Sequence, residues 1–181
     1  MLAAECAWAI LRADHAKLRY LIGSIADEAS GGQWRDAGPG LAQLRQLIES
    51  LQSFDHASHR PKGSALLSAL RGRSPDADRL LAEMEQEREG DDALLNQAMA
   101  RLEAVEKGDA RASAECAVLL AQHRERVLHH LDLEDTLLCA QTERLLTHEE
   151  WAHVVSAIST AIYPAAAAVA GAQGYGSESH A

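Results

Sequence analysis

The chain has 181 residues, of which 47% are hydrophobic and only 4% aromatic. Ala and Leu make up a third of it, whereas Val, Ile and Thr together number 16, as do Gly and Pro. That composition favours a single all-α domain over a β-sandwich, a barrel or a collagen-like fibre. The formal net charge of −10, with no dense Lys/Arg cluster, disfavours nucleic acid and an anionic membrane surface as partners.

Apolar periodicity predicts a first helix over about 3–28, with Trp8, Leu11, His15, Leu18, Ile22 and Ile25 on one stripe. Ser30-Gly31-Gly32 ends it. A second helix is predicted over about 38–59, with Leu44, Ile48, Leu51 and Asp55 on one face and His59 close to it. Pro61 is expected to interrupt it, since proline lacks an N–H and restricts the residue before it. A short helix over about 62–72 comes next. Ser74-Pro75-Asp76 then reads as an N-cap, a first-turn proline and a first-turn acid. It opens a third long helix, about 75–107, with Leu81, Met84, Arg88, Asp91, Leu95, Ala98, Leu102 and Val105 on its stripe.

Gly108-Asp109 separates this helix from a fourth, about 109–144, whose stripe is Cys116, Leu120, His123, Val127, His130, Glu134, Leu137 and Gln141. Thr147-His148-Glu149-Glu150 is a capping box opening a short fifth helix to about 163, expected to pack on the outside. Residues 164–181 read as a weakly structured tail. Four long helices with short links predict an up-down-up-down four-helix bundle over residues 1–163.

Cys6, Cys116 and Cys139 are odd in number and show no CxxC spacing, which argues against a disulfide framework and for a reducing compartment. The apolar start is broken by Glu5 and has no basic residues before it, unlike a signal peptide. The apolar run Ala165–Ala172 is far below the roughly 20 residues a membrane span needs. The expectation is a soluble, cytoplasmic protein.

The informative residues are polar ones where core is expected. His15, His59, Arg88, His123, His130 and Glu134 interrupt apolar stripes on four helices. Buried imidazoles and carboxylates need partners, and one shared metal ion satisfies several together. His130 and Glu134, four residues apart, face one point and suit iron, manganese or zinc.

Taken in order, these segments resemble the hemerythrin-like (HHE cation-binding) family. The residues that carry the resemblance are Leu11-Arg12-Ala13-Asp14-His15, the stretch Phe54 to Leu70, His130-Leu131-Asp132-Leu133-Glu134-Asp135, and Leu146 to Trp151. The resemblance spans about 8–160. It implies a bundle that holds two non-haem irons through a His in helix 1, a HxxxE in helix 2, a His in helix 3 and a HxxxE in helix 4. His15, His59, His130 and Glu134 match that pattern and are the candidate metal ligands. The glutamate of helix 2 falls on Gly63, and the histidine of helix 3 falls on Arg88. Glu87 or Glu89 substitutes only if the register is off by one, and His56 and His123 are extra histidines near the same faces.

The retained set His15, His59 and Glu134 resembles a facial triad, whereas the other half keeps His130 and faces Arg88. Arg88 is placed to pair with Glu134, with Asp91 as the alternative partner. Three functions are compatible with this pattern. The first is an iron-binding protein with an incomplete di-iron site, holding one or two ions, in oxygen, iron or redox sensing or storage, with dioxygen as a candidate ligand. The second is a metal-free bundle with a structural or partner-binding role. The third is a non-haem iron oxidase or peroxidase; no serine elbow, phosphate loop or dinucleotide fingerprint supports an enzyme.

Overall fold

A computed structural model describes residues 2–162; Tyr163 and the expected tail over 164–181 lie outside the described residues. Within them the chain is helical, with no strand. The elements are α1 (Leu2–Gly31), α2 (Pro39–Phe54), α3 (Arg60–Leu70), α4 (Pro75–Glu106), α5 (Ala112–Leu133), α6 (Cys139–Leu145) and α7 (His148–Ile162). Two π-helical turns, Asp55–His59 and Glu134–Leu138, join α2 to α3 and α5 to α6.

The local signals explain most boundaries. Ser74 Oγ accepts from the Ala77 N–H at 3.1 Å and Pro75 opens α4. Gly108, at φ 89°, takes the left-handed conformation that ends α4 at little steric cost. The capping box closes in both directions: the Glu150 N–H donates to Thr147 Oγ1 at 3.3 Å, and the Thr147 N–H donates to Glu150 Oε2 at 2.8 Å.

Two expectations fail at the π-turns. Pro61 does not break the second helix: the chain stays helical from Pro39 to Leu70. In the turn the Arg60 N–H reaches back five residues to the Asp55 carbonyl. Such a bulge already leaves a carbonyl without its i+4 donor, so a residue lacking an N–H costs less there than in a regular helix. In the second turn the Cys139 N–H bonds the Glu134 carbonyl five residues back. The extra residue rotates the stripe beyond it. Leu137, expected inside, is 52% exposed, while Leu138 is buried at 2%.

The stripes of α1 and α4 are filled as expected, from Trp8 to Ile25 and from Leu81 to Val105, with Arg88 half-buried among them. They build two apolar cores. One gathers Leu18, Ile22, Leu44, Ile48, Leu95, Leu102 and Leu120; Trp34 joins it from the α1–α2 loop, its Nε1 donating to the Ala29 carbonyl at 2.7 Å. The other gathers Trp8, Leu11, Leu66, Leu70, Met84 and Leu138. The predicted fifth helix, α7, caps this second core with Trp151, Val154 and Ile158 buried in it, and its other face is exposed. Each such aliphatic side chain contributes about 1.5–3 kcal/mol on burial. No helix among the described residues is long and apolar enough to cross a membrane.

Between the two cores runs a polar layer to which every long helical segment contributes. In sequence it falls between Leu11 and Leu18, between Leu51 and Leu66, between Met84 and Leu95, and between Leu131 and Leu138.

Candidate metal centre

Glu134 stands at the middle of that layer, 3% exposed, as the first residue of its π-turn. His15 comes from the middle of α1, His59 from the last position of the other π-turn, and His130 from one turn earlier on α5. All three rings are buried, and all three turn Nε2 toward the carboxylate. His15 Nε2 lies 2.8 Å and His59 Nε2 3.3 Å from Glu134 Oε2. His130 Nε2 lies 3.1 Å from Oε1. The His15 and His59 rings meet edge to face, their centroids 5.2 Å apart.

The opposite nitrogen of each ring is held by a carboxylate. His15 Nδ1 donates to Asp135 Oδ1 at 2.8 Å, His59 Nδ1 to Asp55 Oδ1 at 3.0 Å, and His130 Nδ1 to Glu87 Oε2 at 3.1 Å. These carboxylates are themselves anchored. Arg19 reaches Asp135 at 2.9 Å, and Arg60 donates from Nε to Asp55 at 2.5 Å while gripping Asp92 with Nη1 and Nη2. An imidazole that gives its Nδ1 proton to a carboxylate presents the Nε2 lone pair inward, the tautomer a metal ligand needs.

A cation fits this geometry on the behaviour of one atom. His15 Nε2 is fully buried and has no hydrogen-bond partner, although Glu134 Oε2 lies 2.8 Å away. His15, His59 and Glu134 offer three ligand atoms within 4.8 Å of one another. Two imidazoles and a carboxylate are a suitable donor set for iron, manganese or zinc.

In the protein without a cation, protons take that place. Burial alone would lower the His59 pKa, but its bonds to Asp55 and Glu134 outweigh burial and raise it to about 9. His130 moves in the same direction: burial opposes the shift, and Glu134 and Glu87 overcome it. Burial would raise the Glu134 carboxyl, but the three histidines hold it well below the usual carboxylate range.

Arg88 Nη2 lies 3.5 Å from Glu134 Oε1. Asp91, the alternative partner for Arg88, instead accepts from Arg126 Nε at 2.7 Å. Glu87 faces the Nδ1 side of His130, and Glu89 is exposed. His56 is exposed and donates to the Gln52 carbonyl at 2.8 Å. His123 is buried, and desolvation lowers its pKa to about 4. It borders a cavity of about 50 Å³ beside the site, which Leu18, Leu51, Leu95, Val127 and Leu131 also line.

Three residues of the layer, Asp135, Asp55 and Lys62, are not among the candidate metal ligands. Asp135 and Asp55 stand behind His15 and His59 as their hydrogen-bond partners, and only the second pair carries a signal, the same four-residue spacing as His130 and Glu134. Lys62 lies inside, where no lysine is expected. Its Nζ is buried and donates to Asp14 at 2.6 and 2.9 Å and to Ser58 Oγ at 2.9 Å.

A helical bundle with a buried cluster of histidine and carboxylate in its core has the architecture of metal-binding bundle proteins, whose sites are built from side chains of facing helices. A family model, the hemerythrin HHE cation-binding domain, matches residues 6–141, a span that contains His15, His59, Arg88, His130 and Glu134. The chain belongs to the hemerythrin HHE cation-binding family. No curated protein and no solved structure matches it.

Proposed function

We propose that the protein binds non-haem iron through His15, His59 and Glu134, with His130 on the second oxygen of Glu134, and works in oxygen, iron or redox sensing or storage. The observation that carries this reading is the convergence of three buried Nε2 atoms on one carboxylate while each Nδ1 is tied to a second carboxylate. Bound iron would supply Lewis acidity and a one-electron couple. Around it His15, His59 and Glu134 ligate, Asp135 and Asp55 orient the two imidazoles, and the apolar walls of the cavity leave space for a ligand as small as dioxygen. An up-down-up-down order of the long helices, one structural unit ending near residue 163 and a cytoplasmic location belong to the same reading.

A second reading, a metal-free bundle with a structural or partner-binding role, is favoured by one observation. Arg88 and the protonated His59 already neutralise Glu134 without any metal.

Elemental analysis and a visible spectrum decide between them. Protein purified without chelator and then loaded anaerobically with ferrous iron is expected to retain iron after desalting. His15→Ala and His59→Ala are expected to lose it while keeping their helical circular dichroism. Wild-type protein that retains no metal under these conditions overturns the iron reading in favour of the metal-free one.

A further inference from the structure

We infer that the Arg88 guanidinium takes the place of a second metal ion, so that the protein holds a single ion between His15, His59 and Glu134. This rests on the metal-binding reading above.

Glu134 divides the centre into two unequal halves. Its Oε2 faces two imidazole nitrogens, those of His15 and His59, and these three atoms form the ligand group. Its Oε1 faces one imidazole, His130 at 3.1 Å, and one guanidinium, Arg88 at 3.5 Å. A guanidinium keeps its proton under all ordinary conditions and cannot ligate a metal. It supplies instead a fixed positive charge beside the oxygen that a metal would otherwise take.

Arg88 Nη2 is fully buried and makes no hydrogen bond. A buried cationic donor is costly unless a counter-charge compensates it. The Glu134 carboxylate is that counter-charge.

The other acidic groups nearby are committed elsewhere. Glu87 accepts from His130 Nδ1 on the outer side of the ring, and Asp91 accepts from Arg126. Gly63, four residues after His59, has no side chain to contribute, and outside its chain neighbours and its own helix backbone no atom lies within 4 Å of the point a Cβ would occupy there. The second half therefore has one imidazole and the shared Glu134 Oε1 as donors, beside a resident positive charge. A dication placed there would meet the guanidinium in a poorly screened interior.

Metal stoichiometry tests this. Metal-free protein is loaded anaerobically with ferrous iron, desalted and analysed for iron per chain, and Co2+ serves in parallel as a visible-absorption probe of the ligand field. Wild type and Arg88→Lys are expected to retain one ion, and Arg88→His two. Arg88→Gln, which removes the charge at similar size, is expected to bind the single ion at least roughly tenfold more tightly, because a like charge has left its neighbourhood. A purely structural role for Arg88 predicts weaker binding. Two ions in wild type overturn this inference and leave the iron reading standing, whereas no ion in wild type overturns both. One ion in a folded Arg88→His variant, or unchanged or weaker binding in Arg88→Gln, overturns it as well.

Discussion

Asp55 Oδ1 accepts a hydrogen bond from His59 Nδ1 at 3.0 Å, and these two residues are the first and last of one π-helical turn. The backbone irregularity thus carries both the ring that faces Glu134 and the carboxylate that sets its tautomer. Arg60 and Asp92 extend the same chain of contacts to α4.

If Asp55 acts by orienting His59, Asp55→Ala should leave all three ligand atoms of the proposed site in place and still weaken it. A loss of roughly 10–100-fold in metal affinity is expected, the usual effect of removing a carboxylate behind a ligating histidine. Isothermal titration with Co2+ measures it; affinity equal to wild type would show that Asp55 has no such role.

The second π-turn makes a prediction about stability alone. Leu138, buried at 2%, should cost about 2–5 kcal/mol when changed to Ala, and the neighbouring Leu137 within about 0.5 kcal/mol of zero. Chemical denaturation of the two variants ranks them. A regular α-helix in the expected phase reverses that ranking.

The Asp14–Lys62 pair ties α1 to α3 inside the protein. Removing one partner leaves an uncompensated buried charge, so Lys62→Ala is expected to cost about 3–5 kcal/mol. Replacing both by Leu and Met should recover most of that loss, since apolar side chains carry no desolvation penalty. The comparison needs both single changes and the double change, measured by denaturant titration. A double variant as unstable as the singles would show that the pair's worth lies in its specific hydrogen bonds.

His123 gives the metal-free protein a pH dependence of known sign. Burial lowers its pKa from 6.5 to about 4, so between these values the unfolded chain binds a proton that the native state does not. The contribution of neutral His123 is therefore fully present above pH 6.5 and falls as pH drops toward 4, by up to roughly 3 kcal/mol. Unfolding free energies measured from pH 7 to 4.5 should fall more steeply in wild type than in His123→Gln. Parallel profiles would show that His123 does not remain neutral inside.

The sequence by itself determined most helical spans, the caps at Ser74 and Thr147 and most of the inward faces. Ser74 with Pro75, and Thr147 with Glu150, act within a few residues of one another, and the stripes from Trp8 to Ile25 and from Leu81 to Val105 arise from 3.6-residue periodicity. The same periodicity singled out His15, His59, His130 and Glu134 as polar residues on apolar faces. Tertiary structure decided the rest. A π-turn adds one residue to a turn and rotates the helix beyond it, and no local pattern announces it, so Pro61 reads as a break and Leu137 as core. Asp135 behind His15, Glu87 behind His130 and Lys62 against Asp14 are pairings between segments distant in sequence. Each forms only when folding brings its two partners together in a poorly screened interior, and no local pattern in the order of residues encodes that meeting.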